Sequence, residues 1–495
     1  MTENAKKIKR IDMSELNVFK QPKPFYLIFS IEFWERFGFY GMQAILTVYL
    51  VDVLAMSEAE SFTLFGAFSA LVFGSIAIGG WVGDKIIGTK RTIVLGAIVL
   101  MVGYALLGVS ASGEFNSKEL IYIAMGFITI GNGLFKANPS SLLAKVYEEN
   151  DPRLDGAFTM YYMAINLGSF ISTLLTPWVS EQLGYGVAFG VSSIGLLITI
   201  ANFLVSRRLV SNIGSQPDKE PVNYRYYSMV VIGTILLAFA SAYLLQHIFY
   251  AHLILAVVGV TIVVLYFKEA LKTTGIERAK MMVAFVLMLQ GVVFFVLYFQ
   301  MPTSLNFFAI HNIQHKIFGI EVQPEQFQAL SPFWIMICSP ILAMVYNKTG
   351  EKFSMPFKFA LGMVLCSCAF LILTLGSHYA DANGIMSSNW LILSYLLQSL
   401  GELLVSGLGL AMIAQLVPQR MMGFAMGMWF LTSATAAVIA GWVATLTAAP
   451  KGVTDPHTTL EIYGVVFKEI GVITGIIAII TLIMAPKLTR VIQGK

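Results

Sequence analysis

Apolar runs of about twenty residues, the length an α-helix needs to cross a bilayer, recur fourteen times along this chain. They lie near 25–54, 61–83, 92–111, 120–144, 156–179, 186–206, 228–246, 249–267, 281–308, 328–346, 357–377, 389–416, 422–447 and 463–485. No water-soluble core of 495 residues needs so much apolar sequence. Only 12% of the chain is charged, where soluble domains carry about 25%. The expected class is an all-α polytopic membrane protein with 14 crossings. Its three cysteines, Cys338, Cys366 and Cys368, all sit in apolar runs and make no disulfide framework.

Lys and Arg give the runs a direction. KKIKR, DKIIGTKR, KVYEENDPRLDG, KEALKTTGIERAK, VPQR and KLTRVIQGK fall on one side of the alternation, whereas the other side holds Lys118, Lys316, Lys451 and little else basic. The positive-inside rule makes the basic side cytoplasmic. Both termini are then cytoplasmic. The opening MTENAKKIKRIDMSELNVFKQPKPF lacks an apolar core followed by a cleavage site and reads as a cytoplasmic tail, not a signal peptide. The formal net charge of +4 is spread over short loops, so no nucleic-acid partner is expected.

Six runs occupy 23–209 and six occupy 281–490; 210–280 holds linkers and two further runs, and 1–22 and 491–495 are tails. Two six-helix bundles facing a central site, with two extra helices at the edge, suit alternating access. The loop GGWVGDKIIGTKR carries Gly80, Asp84, Lys85, Gly88, Lys90 and Arg91 at the spacing of the loop signature of the major facilitator superfamily, which it resembles.

The first run contains EFWERFGFY. Glu32, Glu35 and Arg36 lie on one helical side, about 15 Å in from the helix start. Tyr40, Gln43 and Thr47 continue the stripe. Charges at that depth are costly and normally face a bundle interior or a watery cavity. Lys136 in GFITIGNGLFKANPSSLL, Tyr162 and Asn166 in FTMYYMAINLGSF, and Glu402 and Ser406 in LQSLGELLVSGLGLAM come to a common level when counted from their helix ends. One central cavity is expected. All six histidines fall in or beside the opposite, outer loops, and none sits at mid-membrane.

EFWERFGFY resembles the ExxERFxYY motif of the proton-dependent oligopeptide transporter family, and FTMYYMAINLGS resembles that family's FYxxINxGS signature. Lys136, Glu402 and the fourteen runs are similar to the bacterial members; QMPTSLNFFA and GLGLAMIAQLVPQR are similar to the dipeptide and tripeptide permeases among them. The resemblance covers nearly the whole chain. It implies proton-coupled symport of di- and tripeptides, driven by the proton gradient with no cofactor or metal, by a monomer in the lipid bilayer. Arg36 and Lys136 are expected to take the peptide carboxylate and Glu402 its ammonium, so that the ligand bridges the bundles. Asn166, Tyr40 and Tyr162 are expected to contact the peptide backbone. Glu32 or Glu35, with Arg36 and Lys136, is expected to carry the proton. Phe295, Tyr298, Phe299 and Trp429, with Trp334, are candidates for an adjustable apolar wall, and Gln300 and Ser433 are weaker polar candidates.

Four positions depart from the family pattern. Phe39 and Phe73 stand where tyrosines are expected, Phe299 where many members carry an acidic residue, and Ser331 where an asparagine precedes proline. These put substrate range and the outer gate in question, not coupling. Three other functions compete. A carrier of anions would leave Glu402 facing a like charge. A membrane enzyme would need a catalytic cluster or a large soluble loop, and the longest loops are about 20 residues. A non-transporting sensor differs only in flux.

Overall fold

The fold is described here from a computed structural model, over residues 21–113, 117–148, 151, 153–349, 353–450, 453 and 455–493. Nearly all of the expected tail 1–22 lies outside the described residues. The first half comprises α1 (Lys23–Asp52), α2 (Glu58–Trp81), α3 (Thr89–Ala111), α4 (Lys118–Lys136), α5 (Asn138–Ala144), α6 (Leu154–Leu183) and α7 (Tyr185–Ser206). A hairpin of α8 (Tyr224–Gln246) and α9 (Ile248–Lys272) follows. The second half comprises α10 (Gly275–Tyr298), α11 (Ser304–Asn312), α12 (Leu330–Thr349), α13 (Met355–Ser377), α14 (Ser388–Val405), α15 (Gly409–Leu416), α16 (Met422–Thr445) and α17 (Pro456–Gln493). Strands β1 (Lys316–Ile317) and β2 (Ile320–Glu321) make a small antiparallel hairpin.

Among the described residues 13 helical stretches are long and apolar enough to cross a membrane, with α4–α5 and α14–α15 each counting as one. The 30-residue α1 is the fourteenth crossing, set apart by its charges. The chain therefore has the expected fourteen-helix, all-α architecture. The expected end of the last run moves: α17 continues to Gln493, through the region read as a tail.

Three expected single crossings are broken, each at identifiable residues. Pro139 lacks an N–H and crowds the carbonyl four residues back, so α4 ends at Lys136. Asn138 Nδ2 repairs the break by donating to Leu134 O (2.6 Å) and to Gly79 O of α2 (3.1 Å). The run 281–308 breaks after Tyr298, with Pro302 in the turn before α11. The run 389–416 breaks at Ser406 to Leu408, beside Gly407 and Gly409. The second of these breaks lines the central cavity through Met301 and Pro302, a setting where non-helical backbone at membrane depth is tolerated.

Within the first half α1 packs on α6 and α7, and α3 on α4 and α7. Gly168 of α6 sits so close to α1 that a Cβ there would press on Phe33 O and Phe37 N. This close approach brings the tyrosines of α6 to the charged face of α1. In the second half α13 packs on α14 and α17, and α10 on α16. The halves meet where α2 crosses α16 and α6 meets α12. The hairpin packs α8 against α4, while α9 lies by α2, α10 and α16 with most of its surface outward.

We call the end carrying Lys23 and Gln493 the terminal end and the opposite one the distal end. Polar contacts tie the halves at the distal end. Thr47 Oγ1 donates to Pro302 O (2.7 Å), Gln328 Nε2 to Ala44 O (3.0 Å) and the Ala449 amide to Glu58 Oε2 (2.9 Å). At the terminal end the GGWVGDKIIGTKR loop docks on the linker after α7. Lys90 Nζ donates to Val210 O and Ser211 O (both 3.0 Å), and Arg91 donates to Pro217 O (2.9 Å) and Glu220 O (2.8 Å). Asp84 pairs with Lys145 at 3.3 Å.

Candidate functional site

α1 enters the membrane region with Pro24 in its first turn, where a missing N–H costs nothing. Two to three turns later it presents Glu32 and Glu35, both wholly buried, and Arg36, 3% exposed. Arg36 grips Glu35 in a two-point contact, Nη2 to Oε1 at 2.7 Å and Nε to Oε2. The same guanidinium lies 3.6 Å from Glu32 Oε1. Lys136, held at the end of α4 by the Pro139 break, reaches the same Glu32 oxygen at 3.8 Å. All four expected coupling residues are thus brought together.

The two carboxylates are not equivalent. Glu35 also accepts from Asn132 Nδ2 at 3.3 Å. Neither Glu32 oxygen has a hydrogen-bond partner of normal geometry, although Tyr161 lies beside it. Among the described residues Glu32 thus has two cations near one oxygen and the Tyr161 hydroxyl beside it, but no hydrogen bond of normal geometry. Lys136, 23% exposed, is the more accessible of these cations. Asn132 and Tyr161 were not singled out from the sequence. Asn132 had a signal, since it lies one turn before Lys136 on an otherwise apolar face; Tyr161 is masked by Tyr162 next to it.

A cavity of about 70 Å³ lies between the halves, lined by Tyr40 and Gln43 of α1, Tyr162 and Asn166 of α6, Tyr298, Ser331 and Glu402. Tyr40 and Tyr298 lie close to one another in its lining. Asn166 Nδ2 donates to Tyr162 O at 2.8 Å. Glu402 Oε2 is buried without a hydrogen-bond partner. A buried carboxylate oxygen left unpaired costs about 1–3 kcal/mol or more. The volume suits a few waters, below the about 300–1,000 Å³ of small-molecule pockets, so this arrangement is closed around the site.

Other expected contacts fall elsewhere. Trp429 is seated on Gly291 and Gly409, where a Cβ would strike its ring, and stacks edge-on to Phe295 with centroids 5.8 Å apart. Phe295 and Trp429 form a wall beside the cavity, not its lining. Gln300 has both ends engaged in the fold: Nε2 donates to Val296 O (3.0 Å) and Ala440 O (3.2 Å), and Oε1 accepts from Ser304 (2.6 Å). Ser406 caps α14, with its carbonyl accepting the Gly409 amide at 3.2 Å. Ser331, a departure from the family pattern, lines the cavity along with Gln43, Ser169, Thr173 and Gln328. Arg36 lies over the ring of Phe39, another departure, 5.2 Å from its centroid.

The POT family profile matches residues 90–465. Dipeptide and tripeptide permease A of Chromobacterium violaceum is 63% identical over 477 residues, 96% of each chain. Its namesake from Escherichia coli K12 is 59% identical over 478 residues, 97% of this chain and 95% of the relative. A solved bacterial homologue of the human drug peptide transporters PepT1 and PepT2 superposes with a TM-score of 0.84 at 39% identity, over 94% of this chain and 98% of the other. The tetrameric PepTSo2 crystal structure gives the same TM-score, 0.84, at 39% identity and the same coverage.

Proposed function

This chain belongs to the POT family, and from that premise we propose that it moves di- and tripeptides into the cytoplasm together with protons. The terminal end is the cytoplasmic side of a bacterial inner membrane. The distal contacts then close the outer face.

The observation that carries the coupling scheme is Glu32: wholly buried, without a hydrogen bond of normal geometry among the described residues, 3.6 Å from Arg36 and 3.8 Å from Lys136. Protonating Glu32 removes the charge that holds Lys136. Glu35, gripped by Arg36 and Asn132, is the fixed counter-charge. The released ammonium turns to the peptide carboxylate, with Arg36 behind it. The peptide ammonium goes to Glu402, whose Oε2 lacks a donor. A ligand so held spans α1, α4 and α14 and biases how the halves close, because its contacts differ between the two states. Tyr40, Tyr162 and Asn166 stand between those charges and suit a peptide backbone of two or three residues. The energy source is the proton gradient, without cofactor or metal. The whole site lies within one chain, so a monomer suffices.

The test is uptake of labelled dialanine into liposomes under an inward proton gradient, with and without protonophore, for wild type and Glu402→Gln. Accumulation that collapses with protonophore and is lost in Glu402→Gln supports this reading. Wild-type protein that moves no dialanine while a control transporter works overturns it.

A further inference from the structure

A second cavity, about 650 Å³, lies at the terminal end between α2, α4 and α8. It shares no lining residue with the central one. Its long wall runs down α8 from Asn223 to Leu237, about 21 Å at about 1.5 Å per residue. The chemistry changes along that wall. The rim holds Lys85, Arg91, Glu220 and Asn223. The depth is lined by apolar side chains such as Ile78, Leu134, Met229 and Leu237. Trp81 and Tyr226, 60% and 51% exposed, stand on the lining as well; such residues concentrate at membrane–water interfaces. Gly233 keeps the wall open, for a Cβ built there meets nothing within 4 Å.

The rim charges are differently occupied. Arg91 ties the rim together through Ile87 O (3.2 Å), Pro217 O (2.9 Å) and Glu220 O (2.8 Å). The Glu220 carboxylate accepts from Gln216 Nε2 at 3.2 Å. Lys85 is exposed and makes no ion pair among the described residues, while its neighbour Asp84 is taken by Lys145. Two cations against one carboxylate leave the rim positive.

Both α2 and α8 cross the membrane, so this cavity straddles the level where they leave it. A positive rim over about 21 Å of apolar wall matches a molecule with a negative head and a long apolar tail. A water-soluble ligand would leave that wall uncovered. We propose that the groove binds one anionic phospholipid, with its headgroup phosphate on Lys85 and an acyl chain along α8 past Gly233. Basic pockets between membrane helices on the cytoplasmic side recognise such headgroups. Seated there, the lipid bridges α2 to α8 and fastens the extra hairpin to the first half.

Native mass spectrometry of the purified full chain tests this, with phosphatidylglycerol, phosphatidylethanolamine and phosphatidylcholine each titrated in turn. One phosphatidylglycerol is expected to be retained at lower concentration than either other lipid. Lys85→Ala is expected to weaken it about fivefold, the share of one lysine near an anionic surface. Gly233→Phe, which fills the tail channel from an open position, is expected to abolish it. Equal retention of all three lipids by wild type overturns the proposal. So does unchanged phosphatidylglycerol retention in both variants. Displacement of the lipid by tail-less glycerol 3-phosphate at matching concentration also overturns it, in favour of a soluble phosphate.

Discussion

Phe73 of α2 and Phe299, just past α10, meet edge to face across the seam between the halves, with ring centroids 5.7 Å apart. They are two of the four positions where this chain leaves the family pattern, a tyrosine and a carboxylate being expected there. Where the family resemblance leads one to expect polar groups, this chain has an aromatic pair, worth about 0.5–1.5 kcal/mol beyond its burial.

This coupling can be measured. Phe299→Asp places a carboxylate where Phe299 is buried, at a cost of about 3 kcal/mol at mid-membrane, so its melting temperature falls well below wild type. The double variant Phe73→Tyr with Phe299→Asp supplies a hydroxyl donor and regains part of the loss. A double variant no more stable than Phe299→Asp alone means that the two positions act independently.

Glu32→Gln keeps the shape of the cluster and removes the charge between Arg36 and Lys136. Gradient-driven dialanine accumulation is expected to vanish, while exchange of internal for external dialanine continues. Liposome uptake and counterflow, measured on the same preparation, separate the two. Continued protonophore-sensitive accumulation in Glu32→Gln and in Glu35→Gln alike would rule out carboxylates of α1 as the proton carriers.

Asn132 is the one neutral donor on Glu35 among the described residues, at 3.3 Å. Hydrogen bonds to charged groups contribute about 1.5–3 kcal/mol. Asn132→Leu, close in volume, is expected to lower thermal stability by an amount in that range and to reduce uptake. In Glu35→Gln background the same substitution is expected to cost much less, and equal losses in both backgrounds would show that Asn132 acts through packing alone.

Gly66 of α2 and Gly441 of α16 let the halves touch at the distal end. A Cβ on Gly66 would come within 2.7 Å of Ala437 O and 3.0 Å of Gly441 Cα. Backbone cannot yield as a flexible side chain does, so Gly66→Val is expected to wedge this face open. A cysteine placed at Asn306, buried where it donates to Ala44 O, then reacts with an impermeant maleimide several times faster than in the unmodified background. Unchanged labelling would show that the closure tolerates the added bulk.

The crossings were legible because lipid demands them: about twenty apolar residues satisfy their own backbone in a helix, so length and hydropathy suffice. The charged face of α1 was legible for the same reason, since Glu32, Glu35 and Arg36 are too costly to face lipid. The motif stretches then pointed to Lys136, Tyr162, Asn166 and Glu402 as partners, and the fold gathers them around one cavity and one charge cluster.

What the sequence by itself determined was thus the number of membrane crossings, their apolar faces and which side chains had to turn inward. Tertiary structure alone decided the pairings. It gave Glu35 the two-point grip of Arg36 and left Glu32, among the described residues, without a hydrogen bond of normal geometry, a difference that depends on where α4 and α6 bring Asn132 and Tyr161. It also drew Gln300 into the fold and joined Phe73 to Phe299. Hydropathy reports what each segment must avoid. Which neighbour it meets depends on close approach between helices distant in sequence, and no single segment carries that information.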